Sequence, residues 1–170
     1  MSKAGLRVDR VKVSGGGAMP RTEASRSAVW IHQDGLDNGS VIDYGCGFGK
    51  DAETFNWDKY DPYYHDVRST DKYDTVLCTY VLSAVSRNVR TEIMEKINEL
   101  LRDDDSVAYL TVPRNIPVEG KLSGYERRPQ SYVVFKGLEI IHEVGKEYVI
   151  YKYQKGNIYK DKTKEVGVGK

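Results

Sequence analysis

The chain has 170 residues, with 26 Lys+Arg against 25 Asp+Glu and a formal net charge of +1. That length fits one domain with a single core, and 39% hydrophobic and 30% charged residues with five prolines mark a globular chain. A charge this near balance excludes a protein that coats nucleic acid by bulk electrostatics alone.

The charge is unevenly spread. Residues 1–29 carry six basic and two acidic side chains (+4), residues 151–170 carry six lysines and two acids (+4), and the stretch between them is left at −7. An acidic body with basic ends can hold a polyanion at its rim, although solvated tails also tolerate lysine. The two cysteines, Cys46 and Cys78, give neither a disulfide framework nor zinc spacing, and no metal site is expected. The first 13 residues mix basic and apolar side chains without a continuous apolar run, so no signal peptide is read there. No apolar run approaches the roughly 20 residues of a membrane span, and a soluble, cytoplasmic protein is expected.

Residues 1–21 read as an irregular N-terminal segment ending in a flexible glycine stretch, Gly15-Gly16-Gly17. The span 22–32 reads as a helix capped by Thr22, with Ala28, Val29 and Ile31 as a partial apolar face. Ser40-Val41-Ile42-Asp43-Tyr44 is a buried parallel strand that ends abruptly in glycines. Only a helical turn or two fits over 50–55. The span 57–60 is the next strand, closed by Asp61-Pro62, and 74–82 is the strongest strand of the chain.

The clearest helix covers 87–102, where Val89, Ile93, Met94, Ile97, Leu100 and Leu101 recur at three and four. A strand over 106–112 stops at Pro113. Residues 114–131 read as a loop. Two strands, 138–142 and 148–153, flank 143–147 and suggest an antiparallel hairpin. From residue 155 the chain reads as a polar, basic, mobile tail. This alternation predicts a compact, mostly parallel α/β sheet over 22–154 with shortened first crossovers.

The informative segment is Asp43-Tyr44-Gly45-Cys46-Gly47-Phe48-Gly49-Lys50-Asp51. Glycines at every second position after a buried strand remove each Cβ and let backbone N–H groups approach a ligand. The spacing is G-x-G-x-G, neither the dinucleotide G-x-G-x-x-G nor a phosphate-cradling P-loop, which disfavours a nicotinamide-dependent oxidoreductase. Asp43 would repel phosphate and attract a cationic group such as an amine or a sulfonium. Asp61 closes the next strand, where an acid accepts hydrogen bonds from a ribose diol.

These residues resemble the class I S-adenosylmethionine-dependent methyltransferases over roughly residues 22–153. Asp43 through Gly49 matches their first motif without a gap. Asp61 resembles their acidic second-strand residue, 74–82 their fourth strand, and the final hairpin their reversed seventh strand, all in a Rossmann-like fold. More narrowly, D-Y-G-C-G-x-G-x-D followed by W-D-x-Y-D-P-Y-Y is similar to methyltransferase-like proteins associated with DNA phosphorothioation and to small phage-encoded relatives.

The resemblance implies S-adenosylmethionine as cofactor. It implies Tyr44, Gly45, Cys46, Gly47 and Gly49 under the methionine part, Asp43 at its amino group and Asp61 on the ribose hydroxyls. It further implies Tyr63 over the adenine, Asp66 at the adenine amine, and backbone carbonyls of Cys78, Thr79 and Tyr80 at the methionine end. The sequence departs from the family in length. Eleven positions separate Gly49 from Tyr60 and twelve separate Asp61 from Tyr73, so the first crossover helix is stunted and the third strand mostly missing.

Methyl transfer needs a nucleophile placed ~3 Å from the methyl group and, for an N or O acceptor, help with a proton. The [DNS]-P-P-[YF] tetrapeptide of amino-methylating enzymes is absent, since Cys78-Thr79-Tyr80-Val81 stands there; no Pro-Cys nucleophile exists either. Both cysteines read as small buried hydrophobes. Of the histidines, His142 reads as structural, His65 as a rim residue and His32 as a helix C-terminal charge. The catalytic candidates are Tyr80, at the mouth of the central strand, and Arg114, which can grip an acidic acceptor.

The expected function is S-adenosylmethionine-dependent methyl transfer to nucleic acid first and a small molecule second. Nucleic acid would be held by the basic ends and loop 114–131, and some of the 13 tyrosines can stack on bases. The alternative is a non-catalytic methyltransferase fold kept as a subunit or nucleic-acid-binding module. The sequence says nothing of oligomeric state.

Overall fold

The structure, a computed structural model, describes residues 22–47, 49–61, 72–123 and 128–166. The first described helix, α1 (Arg26–Gln33), starts three residues later than the sequence suggests. Ser25 rather than Thr22 is its cap, and the Ser25 hydroxyl accepts from the Ala28 N–H at 3.3 Å. The choice is made from outside the helix. Buried Asp51 takes both the Ser25 N–H (2.7 Å) and the Ser25 hydroxyl (2.8 Å), tying the helix start to the segment after the glycine loop.

Strand β1 (Val41–Tyr44) is followed by α2 (Lys50–Phe55) and β2 (Asp58–Tyr60). The helix stops after six residues because Asn56 turns left-handed (φ 60°) and the Trp57 N–H returns to the Ala52 carbonyl at 2.8 Å. Trp57 therefore leaves the expected strand and donates its indole N–H to Asp37 at 3.1 Å. Strand β3 (Thr75–Thr79) is shorter than expected, since Tyr80 takes φ +61° and ends it. A single turn at Leu82–Ala84 leads to α3 (Arg87–Leu100), capped by Ser86, and then to β4 (Val107–Pro113).

Two expectations for the C-terminal part are corrected. The span 114–131 is not all loop: β5 (Lys121–Ser123) pairs antiparallel with β6 (Arg128–Gln130). Neither strand shows alternation, and Pro129 hides the second one from a pattern reading. The segment after residue 155 is not a free tail through residue 166. After β7 (Phe135–Lys136), β8 (Glu139–Val144) and β9 (Tyr148–Gln154), strand β10 (Lys160–Asp161) returns to pair with β7. Lys155 itself caps the carbonyl end of α3, its Nζ donating to Asn98 O (2.7 Å) and Leu101 O (3.2 Å).

The main sheet has the order β2-β1-β3-β4-β9-β8. β1 is parallel to both β2 and β3, β3 is parallel to β4, and β9 is antiparallel between β4 and β8. The chain thus leaves β1 toward one side and re-enters on the other, which makes the carboxyl ends of β1 and β3 the point where the order reverses. One face of the sheet packs Ile42, Val76, Cys78, Leu110 and Val149 against Met94, Ile97 and Leu101. The other packs Val41, Leu77, Tyr109 and Ile150 against Ala28, Ile31 and Ala52. Among the described residues no helix is long and apolar enough to cross a membrane.

Candidate functional site

At the carboxyl end of β1 the backbone bends through three left-handed glycines, Gly45 (φ 82°), Gly47 (φ 62°) and Gly49 (φ 88°). The bend is tied to β2. The Gly45 and Cys46 N–H groups donate to the Tyr60 carbonyl at 2.7 and 3.0 Å, and the Gly47 N–H donates to Asp61 Oδ2 at 2.8 Å. The Gly49 N–H closes back on the Cys46 carbonyl at 3.0 Å. These four amides have partners within the chain, contrary to the expectation that glycine N–H groups would reach a ligand. The loop instead offers close-approach surface without Cβ atoms, and Asp61 is drawn back across it.

Asp43 and Asp61 are 3% and 8% exposed. Two buried carboxylates flanking a glycine bend make the carboxyl end of β1 locally negative. Their field reaches both thiols. Burial pushes the Cys46 thiol well up, and Asp43 and Asp61 add to it; burial and Asp43 do the same to Cys78. Both cysteines therefore stay protonated, as small apolar side chains rather than nucleophiles. Burial, with Tyr60 next, also raises the Tyr44 hydroxyl, whose ring stacks on Tyr60 at 5.1 Å.

The loop after β3 packs against the bend from the other side. A Cβ on Gly45 would come 2.6 Å from Val81 Cγ2, so the first glycine is required by both its dihedral and its neighbour. Tyr80, just before Val81, holds a left-handed backbone that is uncommon for a bulky residue, while its N–H continues the ladder to Thr111 O at 2.9 Å. Its ring meets Tyr148 edge-on at 6.3 Å.

Thr79 pairs in register with Thr111, whose wholly buried hydroxyl has no partner among the described residues; the Ser27 hydroxyl on α1 shares that state. Sequence reading missed both, because a lone Ser or Thr carries no pattern. A buried hydroxyl left unpaired costs about 1–3 kcal/mol, so each is a local cost to the fold.

Arg114 follows β4 on the same edge. Its guanidinium lies over the Tyr132 ring at 4.2 Å and donates to Tyr151 Oη at 3.0 Å and to the Pro113 carbonyl at 3.3 Å. The bond to Tyr151 turns it toward the α3 face of the sheet, whereas Tyr80 packs with the α1 face, so the two candidates stand on opposite sides of the rim. Tyr63, His65 and Asp66 lie outside the described residues. His32 bonds Asp37 at 2.8 Å and stacks on Phe55, away from the glycine bend. His142 is stacked on Trp30 at 3.9 Å; burial lowers its pKa, while Asp34 raises it. Two open hollows of about 270 and 180 Å³ lie at the opposite, amino-terminal edge. Of their acids, Asp37 is engaged by Trp57 and Asp74 by Ser40 and Arg102.

With the strand order 2-1-3-4-9-8, the chain superposes on solved structures. The chain superposes on the Burkholderia thailandensis 1,6-didemethyltoxoflavin-N1-methyltransferase, bound to 1,6-didemethyltoxoflavin and S-adenosylhomocysteine. The TM-score is 0.56 and the identity 17%, over 89% of this chain and 88% of that one. The fold is that of the class I methyltransferases. The glycopeptide N-methyltransferase MtfA, complexed with S-adenosylhomocysteine, is similar at a TM-score of 0.51 and 10% identity, over 81% of this chain and 94% of that one. No protein-family model matches the chain, and no curated protein does. Against the class I methyltransferase pattern, the described chain keeps the central strands and the reversed strand β9 but has only a six-residue helix after the glycine bend.

Proposed function

We propose that the protein transfers a methyl group from S-adenosylmethionine to an acceptor at the carboxyl edge of β3 and β4. The observation that carries this reading is the bond from the Gly47 N–H to Asp61, which joins the glycine bend of β1 to the acid ending β2 at the sheet's point of reversal. The two neighbours bind S-adenosylhomocysteine in this fold. The residues here suit such a ligand in two respects: a bend with little room for a Cβ at Gly45, and buried carboxylates, Asp43 and Asp61, on either side of it.

In this reading Asp43 receives the amino group, Asp61 the ribose hydroxyls, and Gly45 to Gly49 lie beneath the methionine chain. Cys78, Thr79 and Tyr80 line its far end through backbone carbonyls, and the adenine falls to Tyr63 and Asp66, outside the described residues. When bound, S-adenosylmethionine supplies an electrophilic methyl group on a sulfonium. Burial of Asp43 and Asp61 keeps a negative field beside that cation. Tyr80 orients the acceptor, and Arg114, its guanidinium held flat by Tyr132 and Tyr151, takes an anionic group of it.

The acceptor classes remain nucleic acid and small molecule. The resemblance to phosphorothioation-associated proteins favours the first. The neighbours, a methyltransferase of a toxoflavin precursor and one of a glycopeptide, favour the second. The six-residue helix after the bend favours a rival, a binding fold without catalysis. Calorimetry with S-adenosylmethionine and S-adenosylhomocysteine separates these. Measurable binding of both is expected, weakened about 10–100-fold by Asp61→Asn, which keeps an acceptor for Gly47 but loses the charge. No heat with either ligand refutes the cofactor reading. Transfer of labelled methyl to DNA, RNA or metabolite pools then identifies the acceptor.

A further inference from the structure

The segment made of β10 and the residues after it is built as two rows. Asp161 and Thr163 turn inward and half-exposed Glu165 reaches back on the same side: Asp161 bonds wholly buried Arg90 at 2.7 Å, Glu165 meets the same guanidinium at 3.3 Å, and the Thr163 hydroxyl receives the Val134 N–H at 2.9 Å. Lys160, Lys162 and Lys164 alternate with them and are all exposed. Lys136, also exposed, stands directly opposite Lys160 in the β7–β10 pair.

Like charges placed opposite each other in an antiparallel pair are destabilising. None of these four lysines has an ion-pair partner among the described residues, because the acids of the strand are committed to Arg90 and Arg87. The inward clamp fixes the outward row. The Lys162 N–H continues the pairing to the Val134 carbonyl at 2.8 Å, and an extended run at roughly 3.3 Å per residue would set alternate lysines about 6.6 Å apart, comparable with the step between successive phosphates of an extended single strand.

The row is also aimed. Val166 lies against the 120–130 region, since a Cβ on Gly120 would come 2.6 Å from Val166 Cγ2 and 2.8 Å from the Gln130 carbonyl. From there the chain reaches Tyr132 and the Arg114 guanidinium over it, at the carboxyl edge of the sheet. We infer that Lys136, Lys160, Lys162 and Lys164 form a phosphate-backbone track for single-stranded nucleic acid, leading to the rim where Arg114 and Tyr132 stand. The middle of the chain, residues 30–150, is at −7, so a polyanion is favoured at the basic C-terminal row over most of the body. The exposed side of Tyr132 adds a stacking surface for a base. The track is a binding surface in its own right and does not depend on methyl transfer.

The test is fluorescence anisotropy with labelled oligo(dT) and oligo(U) 20-mers and the full chain. Truncation from residue 155 is unsuitable, because the inward row belongs to the core. Four phosphate contacts at about 0.7 each give a log–log salt slope near −2.8, or about 50-fold weaker binding from 50 to 200 mM salt. Lys160→Gln/Lys162→Gln should reduce that slope by about 1.4, whereas the charge-matched Lys96→Gln/Lys146→Gln should leave it unchanged. Thermal melts of both variants should match the parent. Dominance of either oligonucleotide supports the track and tells DNA from RNA. Equal loss in both variants, no loss in either, or equal competition by poly-glutamate at matched charge overturns it, the last in favour of an acidic protein partner.

Discussion

The two sides of the sheet are held in different ways. On the β1–β2 side the strands have four and three residues, the helix between them has six, and the ties are local: Gly47 to Asp61 spans 14 positions. On the other side β4 and β9 run through seven registered pairs, and Arg90 reaches 71 positions to Asp161 and 75 to Glu165. The short side carries the glycine bend with its left-handed backbone and the buried Asp43 and Asp61, and the long side ties its own buried charge, Arg90, by long-range pairing that offsets such costs.

The largest effect should come from breaking the long side. Arg90→Leu leaves Asp161 and Glu165 without their buried partner and should remove about 3–5 kcal/mol of stability in urea denaturation. A loss under about 1 kcal/mol would show that the C-terminal strand is not integral. Next, Gly45→Ala meets Val81 and an unfavourable φ, whereas Gly35→Ala pays only for φ, with nothing within 4 Å of its Cβ. Both should lose about 1–2 kcal/mol, but only Gly45→Ala should lower S-adenosylmethionine affinity, by 10-fold or more. Equal affinities would separate the bend from the cofactor.

Acid sharpens the comparison further. Burial would raise the Asp161 carboxyl, but hydrogen bonds from Thr163 and Arg90 outweigh it and hold it below the ordinary value of 3.8. A depressed folded-state pKa contributes stability that is fully present above the unfolded value and lost as pH falls through the folded one. Between pH 6 and pH 3 the parent should therefore lose more stability than Asp161→Asn, and an identical pH dependence would refute the clamp. The smallest effect on stability should be Tyr80→Asn, because Asn tolerates the left-handed backbone. It should stay within about 1 kcal/mol of the parent by thermal melt while methyl transfer falls; unchanged transfer would remove Tyr80 from the acceptor site.

The central strands, α3, the glycine bend and the antiparallel hairpin were legible because each announces itself locally: β-branched runs, recurrence at three and four, glycines at alternate positions. Asp61 was legible as the acid closing a strand. Its bond to Gly47 was not, since that depends on how β2 is registered beside β1. The C-terminal segment misled for the opposite reason. Lys160 to Glu165 alternates lysine with polar residues, which reads as a solvated tail, and it folds because a buried Arg90 stands 71 positions upstream to receive its acids.

By itself, then, the sequence determined the order of elements, the α/β class and the placement of a glycine bend between two acids, all properties of neighbouring residues and their periodicity. Tertiary structure alone decided that the bend's amides serve the chain, that Tyr80 and Arg114 face opposite sides of the rim, and that the acids of the C-terminal segment are drawn to Arg90 while its lysines stay exposed. Those features rest on contacts between residues far apart in the chain, and no local pattern encodes which distant partner will satisfy a buried charge.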